Sequence, residues 1–123
     1  MKLRSSAPAV CALLLAFTAN TAEAGECISR PTRFELSSDI VHWTVEIRSG
    51  GECLQGLRGK TMLLDDVKLA KAPSAGVVTI AGPSFRYNAP AGSPSSDTFT
   101  LEVSGENRRQ RGTSLIIVDV HAR

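Results

Sequence analysis

Proton or acyl-transfer chemistry near neutral pH needs an imidazole or a tuned carboxylate beside a nucleophile. The only histidines here are His42 and His121. His42 belongs to an alternating stretch, with Asp39 and Glu46 nearby, and is expected to point outward. His121 lies two residues from the end of the chain, where strands commonly fray. Neither stands in a Gly-x-Ser-x-Gly setting or beside a thiol that survives as a free nucleophile. The adjacent Asp65 and Asp66 would point to opposite faces of a strand. Glu102 and Asp119 are expected on the last two strands and would approach one another if those strands pair. Exposed carboxylates, however, lack the desolvation that turns one into an acid. Metal chemistry has equally little support. Beyond Met1 the only methionine is Met62, and no His or further Cys stands at ligand spacing from Cys27 or Cys53. The sequence thus points away from an enzyme and assigns no catalytic, cofactor or metal-binding residue. A small hydrolase or metal-handling protein built around His42 is the competing expectation.

The start of the chain reads as a processing signal. Lys2 and Arg4 precede an apolar run from Ala9 to Phe17, and Ala22-Glu23-Ala24 puts small residues at the positions a signal peptidase reads. This pattern predicts a signal peptide over residues 1–24, cleaved before Gly25. The apolar run is well short of the roughly 20 residues that span a bilayer. Residues 25–123 then form one small domain of 99 residues. Setting aside Lys2, Arg4 and Glu23 takes the 14 basic and 12 acidic residues to 12 and 11, a net charge of +1. Such a balance speaks against general nucleic-acid binding, which needs a clustered positive footprint. Cys11 is lost with the signal, leaving Cys27 and Cys53, which in an exported protein read first as a disulfide. Closing that loop stabilises a fold by roughly 3–4 kcal/mol.

The elements that would position these residues are short strands. Val41, Trp43, Val45 and Ile47 alternate with polar residues, the mark of a half-buried strand. Phe34 and Leu36 alternate in the same way, and a turn at Ser38-Asp39 would join the two strands as a hairpin. Gln55 to Lys60 is Gly-rich and without clear period; Thr61 to Leu64 reads as a strand or one helical turn, interrupted by Asp65-Asp66. Val67 and Leu69, Val77 to Ile80, Phe85 and Tyr87, then Phe99, Leu101 and Val103 mark further strands. Between them lie turns at Pro73–Gly76 and Gly82-Pro83 and an exposed loop over 89–96. A polar connection from Ser104 to Gly112 leads to a last strand with Ile116, Val118 and Val120 on one face and Leu115 and Ile117 on the other. The expectation is an all-β antiparallel sandwich of about seven short strands. Trp43 is expected in the core, and Tyr87 in the core with its hydroxyl near an edge.

Pro73 and Gly76, then Phe85, Tyr87 and Pro90, then Asp97 and Phe99, then Ile116 to Val120 form an ordered series. In this series the stretch 67–121 resembles the cadherin-like and immunoglobulin-like repeats of exported bacterial proteins. It covers 55 of the 99 residues after the signal. Ser95 stands where those repeats carry a glycine, and the Asp-x-Asn-Asp runs that bind calcium between cadherin domains are absent. The resemblance therefore implies a β-sandwich fold and gives no warrant for calcium.

One surface feature is left over. Arg108-Arg109-Gln110-Arg111 falls between the two strongest C-terminal strands. Charge at a hairpin tip discourages edge pairing. Arginine forks also suit carboxylate or phosphate, and loops at one end of a sandwich are common binding surfaces. Arg108, Arg109 and Arg111 are therefore the candidate partner-binding residues. The expected protein is an exported, non-enzymatic binding or assembly module of the cell envelope, periplasmic or extracellular. It would work without cofactor, nucleic acid or membrane span, and its partner would be another envelope or extracellular protein. A variant of this expectation is an inhibitor or accessory subunit acting through the Arg108–Arg111 loop.

Overall fold

The period-two segments become strands with their apolar sets turned inward. The computed structural model describes residues 27–123; the expected signal peptide lies outside the described residues. Among the described residues, eight strands form two facing sheets. They are β1 (Cys27–Arg30), β2 (Asp39–Ile47), β3 (Glu52–Gly56), β4 (Met62–Lys71), β5 (Val77–Ala81), β6 (Ser84–Asn88), β7 (Ser95–Asn107) and β8 (Gln110–Ala122). The larger sheet runs β1-β2-β8-β7-β4 and the smaller β3-β6-β5. The fold is an all-β sandwich, and no helix among the described residues is long and apolar enough to cross a membrane.

The core fills the space between the sheets. Trp43, Val45 and Ile47 of β2, Phe99, Leu101 and Val103 of β7, and Ile116, Val118 and Val120 of β8 are buried. They face Cys53 of β3 and Phe85 and Tyr87 of β6. Phe99 is central: Tyr87 stacks on it at 5.8 Å between centroids and Phe85 meets it edge-on at 5.2 Å. Cys27 and Cys53 are joined, with 5.4 Å between their Cα atoms, and tie β1 of one sheet to β3 of the other.

Several expectations need correction. Pairing is not wholly antiparallel: β2 and β8 run parallel, from Asp39 opposite Ser114 to Ile47 opposite Ala122. A parallel pair needs a long crossover, and the whole stretch through the second sheet and back supplies it. Phe34 and Leu36 are buried as their alternation implies, yet they lie in a bent connection rather than a strand. Positive φ angles at Leu36 (60°) and Ser38 (64°) break the extended path, and β1 upstream takes the antiparallel place beside β2. The polar stretch after Ser104 is no loose connection, because β7 and β8 stay paired to Asn107 and Gln110. Asp65 does not end β4 but marks a bulge opposite β7. That extra residue switches the inward set from Met62 and Leu64 to Val67 and Leu69. His121 does not fray: it is paired on both sides, with Glu46 and with Ser96.

One buried carboxylate fixes the turn between the sheets. Asp97, on β7, is 6% exposed and has six donors on its two oxygens. Oδ1 accepts from the Ser74 amide (2.8 Å), the Ser74 hydroxyl (3.3 Å) and the Thr98 amide (3.0 Å). Oδ2 accepts from the amides of Ala75 (3.1 Å) and Gly76 (2.8 Å) and from the Tyr87 hydroxyl (2.7 Å). A β-carbon on Gly76 would collide with the Tyr87 ring and the Asn88 carbonyl, so only glycine lets this turn close. The Tyr87 hydroxyl therefore lies at an internal anchor and not at an edge. Burial alone would raise the Asp97 pKa; hydrogen bonds from Gly76, Tyr87, Ser74 and Ala75 outweigh it and bring the value down to about 2.

The stability this lowered pKa supplies is complete above the ordinary carboxylate range and is lost as pH falls toward 2. We expect urea unfolding free energy to drop by on the order of 2 kcal/mol between pH 5 and pH 2 on this account. Asp97→Asn should lose about 2–3 kcal/mol at neutral pH and show a visibly flatter acid limb. An unchanged limb would remove Asp97 from this role.

Candidate functional site

The β7–β8 hairpin ends in a two-residue turn. Its central residues, Arg108 (φ 51°) and Arg109 (φ 74°), are both left-handed. Such a turn matches the strand twist but favours Asn-Gly, because side chains at positive φ cost roughly 1–2 kcal/mol each. Two arginines here are thus not what folding alone selects. The three candidate arginines also part company. Arg111 is committed to the protein itself: its guanidinium pairs with Asp65 at the β4 bulge and with Glu106 (3.6 Å) on the facing strand. Arg109 is exposed at the tip, and Arg108 is exposed and borders a cleft.

That cleft has a volume of about 550 Å³ and lies between the β1–β2 connection, the β3–β4 connection and the hairpin tip. Its apolar floor is formed by Phe34, Trp43, Leu57 and Met62. Its rim carries Arg33, Arg58, Lys60 and Arg108 against a single carboxylate, Glu35. Glu35 is already occupied, since one oxygen pairs with Arg33 (2.9 Å) and the other accepts from Asn107 Nδ2 (3.1 Å). Arg58, Lys60 and Arg108 have no ion-pair partner among the described residues. The arrangement suits an anionic ligand that also offers apolar surface.

The three walls are fixed by side-chain hydrogen bonds. Asn107, buried at the end of β7, donates to the Glu35 carbonyl (3.1 Å) and accepts from the Thr61 hydroxyl (2.6 Å). It thereby holds both connections to the tip. The Trp43 indole N–H donates to the Thr32 carbonyl at 2.7 Å. Asp39 accepts from the amides of Glu35 (2.9 Å) and Ser37 (3.1 Å) and from the Ser114 hydroxyl. Burial works to raise the Asp39 pKa, but the hydrogen bonds from Ser114, Glu35 and Ser37 outweigh it and hold it below its ordinary value. Ser114 in turn accepts from the Leu36 amide (2.9 Å), and the Leu36 carbonyl packs where a side chain on Gly112 would sit.

Sequence similarity adds nothing to this picture. No family model matches the chain, and no curated protein does. What the site can do rests on its geometry.

His42 lies elsewhere, exposed on the outer face of the larger sheet. Its Nδ1 is 3.8 Å from Asp119 Oδ2, and the Thr98 hydroxyl donates to Asp119 Oδ1 at 3.2 Å. The carboxylate sits in the middle of this row, so the Thr98 hydroxyl is directed to Asp119 and not to the imidazole, unlike a nucleophile–base pair. Glu102 does not join Asp119: it pairs with Leu115, while Asp119 pairs with Thr98, about four residues or roughly 13 Å further along β8. No group of three or more His, Cys, Asp or Glu side chains converges at metal-binding distance among the described residues. Sequence reasoning missed Arg33, Arg58, Lys60 and the aromatic floor. The one available signal was Arg58-Gly59-Lys60, two cations in a glycine-containing stretch without strand period.

Replacing Arg109 by glycine removes backbone strain. Thermal denaturation should show R109G stabilised by about 1 kcal/mol; a destabilised variant would mean the arginine serves the fold. Asn107→Ala should cost about 1–3 kcal/mol, and amide exchange should quicken in residues 31–38 and 57–61 but not around Asp97.

Proposed function

We propose that this chain is an exported, non-enzymatic binding or assembly module of the cell envelope, periplasmic or extracellular. In this reading its sandwich, like the immunoglobulin-like and cadherin-like repeats it resembles, is a scaffold. One end presents the hairpin tip and cleft to another envelope or extracellular protein. The observation that carries the reading is the set of unpaired cations, Arg58, Lys60 and Arg108, around an apolar floor in a chain whose charge is otherwise nearly balanced. The strained arginines of the tip support it, because side chains kept at a conformational cost commonly serve a function. The Cys27–Cys53 disulfide supports an oxidising compartment. Action as an inhibitor or accessory subunit is the narrower form of the same reading. It is supported by Arg108 and Arg109 alone, since Arg111 is taken by Asp65 and Glu106.

Two measurements test this. Protein recovered from the envelope fraction should begin at Gly25 and weigh two hydrogens less than the reduced chain. Retention in the cytoplasm with free thiols would overturn export. The immobilised chain should retain a defined envelope protein, and R108A/R109A should reduce its recovery by about tenfold, the loss of one or two charged contacts. Recovery no better than that from an unrelated sandwich would overturn the binding reading.

A further inference from the structure

The chemistry of the cleft narrows what it can hold. A volume of about 550 Å³ falls within the roughly 300–1,000 Å³ of ligand sites and exceeds what a single small anion fills. Phe34, Trp43 and Leu57 are each only 3% exposed and Met62 6%, so the floor offers edges and not a deep apolar channel. A floor of that kind accommodates one apolar side chain and would leave most of a long acyl chain in water. The same numbers disfavour a single-stranded nucleic acid, whose bases need open aromatic faces for stacking. Phe34 and Trp43 are instead packed on one another, with ring centroids 6.3 Å apart, and the indole N–H is spent on Thr32. The free charges lie beside this floor on neighbouring segments: Arg58 and Lys60 on the β3–β4 connection, and Arg108 on the tip next to it, its amide donating to the Thr61 carbonyl at 3.4 Å. A row of free cations beside an apolar seat matches a chain that carries several carboxylates next to one apolar residue.

We infer that the cleft binds an extended acidic peptide segment of a partner protein. One apolar side chain of the segment would sit on Trp43, Leu57 and Met62, and its neighbouring carboxylates would meet Arg58, Lys60 and Arg108. The inference rests on the binding-module reading and names the chemistry of the partner. Arg33 takes no part, being held by Glu35. Asn107 is a positioning residue, acting through the two connections it holds.

Trp43 is the only tryptophan of the chain and lines the cleft, so its emission reports occupancy directly. The full chain is titrated with a blocked peptide carrying glutamates on both sides of a central leucine. Two control peptides replace either every glutamate by glutamine or the leucine by serine. The glutamate–leucine peptide should shift the emission saturably, and each control should bind on the order of tenfold more weakly. Salt should weaken binding steeply between about 0.01 M and about 1 M, as the Debye length shortens from about 30 Å to about 3 Å. R58Q/R108Q should lose binding by about tenfold while melting as the parent does, since neither side chain has an ion-pair partner among the described residues. Equal binding of the glutamine peptide, or full binding by R58Q/R108Q, would overturn the inference. So would inorganic phosphate or a single-stranded oligonucleotide binding as tightly as the peptide. Partner capture separates the two levels. If R58Q/R108Q retains the same envelope protein as the parent, the cleft inference fails and the module reading stands. If the peptide binds but no envelope protein is retained, the module reading fails.

Discussion

The hydrogen bond from Tyr87 to Asp97 is the contact on which the sandwich depends. Tyr87 belongs to the smaller sheet and Asp97 to the larger, so this 2.7 Å bond spans the core that apolar packing otherwise fills without direction. A carboxylate buried without a cation would cost several kcal/mol if left unsatisfied. Here successive amides of the turn at 74–76, together with Tyr87 and the Thr98 amide, supply the compensation from fixed dipoles. Each donor is in place only if its own segment is. The turn needs Gly76 to approach the Tyr87 ring, and Tyr87 needs β6 in register with Cys53 on β3. Such mutual dependence selects one relative placement of the sheets, where a purely apolar interface would tolerate slippage.

The same end of the molecule is stitched in other ways. Cys53, opposite Tyr87, is bonded to Cys27, and the C-terminal Arg123 exchanges backbone hydrogen bonds with Ile47 and Ser49. The end that carries the cleft is built differently. Arg108 is eleven residues beyond Asp97 along β7 and its turn, roughly 35 Å away. All four non-glycine residues with positive φ among those described, Leu36, Ser38, Arg108 and Arg109, lie in the connection and tip around this end. Leu36 keeps its strained conformation because Ser114 accepts from its amide and Gly112 makes room for its carbonyl. Strain gathers where side-chain hydrogen bonds decide the backbone path.

This division explains what the sequence discloses. Strand phase is legible because burial on one face imposes alternation: Trp43, Val45 and Ile47, or Phe99, Leu101 and Val103, announce themselves. Even the bulge is visible in retrospect, as two aspartates at the point where the apolar phase slips by one. The parallel pairing of β2 with β8 is not, because it joins Asp39 to Ser114 and no local pattern encodes so distant a register. Asp97 could be placed in a series of spaced residues, but its six donors come from three segments that only folding brings together. Phe34 and Leu36 mislead for a related reason. Alternation reports which way a side chain points, and these two point inward from a backbone that is bent and not extended.

The cleft was hidden for a further reason, which lies in how charge is distributed. A near-neutral total says nothing about local balance when most carboxylates are already engaged. Asp39 and Asp97 are spent on amides and hydroxyls, Asp65 and Glu106 on Arg111, Glu52 on Arg86, and Asp66 on Lys68. Glu35, the one acid in the cleft, is shared between Arg33 and Asn107. Cations brought to this end by Arg58, Lys60 and Arg108 therefore find no counterion among the described residues, although the chain as a whole has nearly enough. A surface left in that state discriminates by sign before it discriminates by shape. An approaching positive segment is repelled at the rim, and only a negative one gains from reaching the apolar floor beneath.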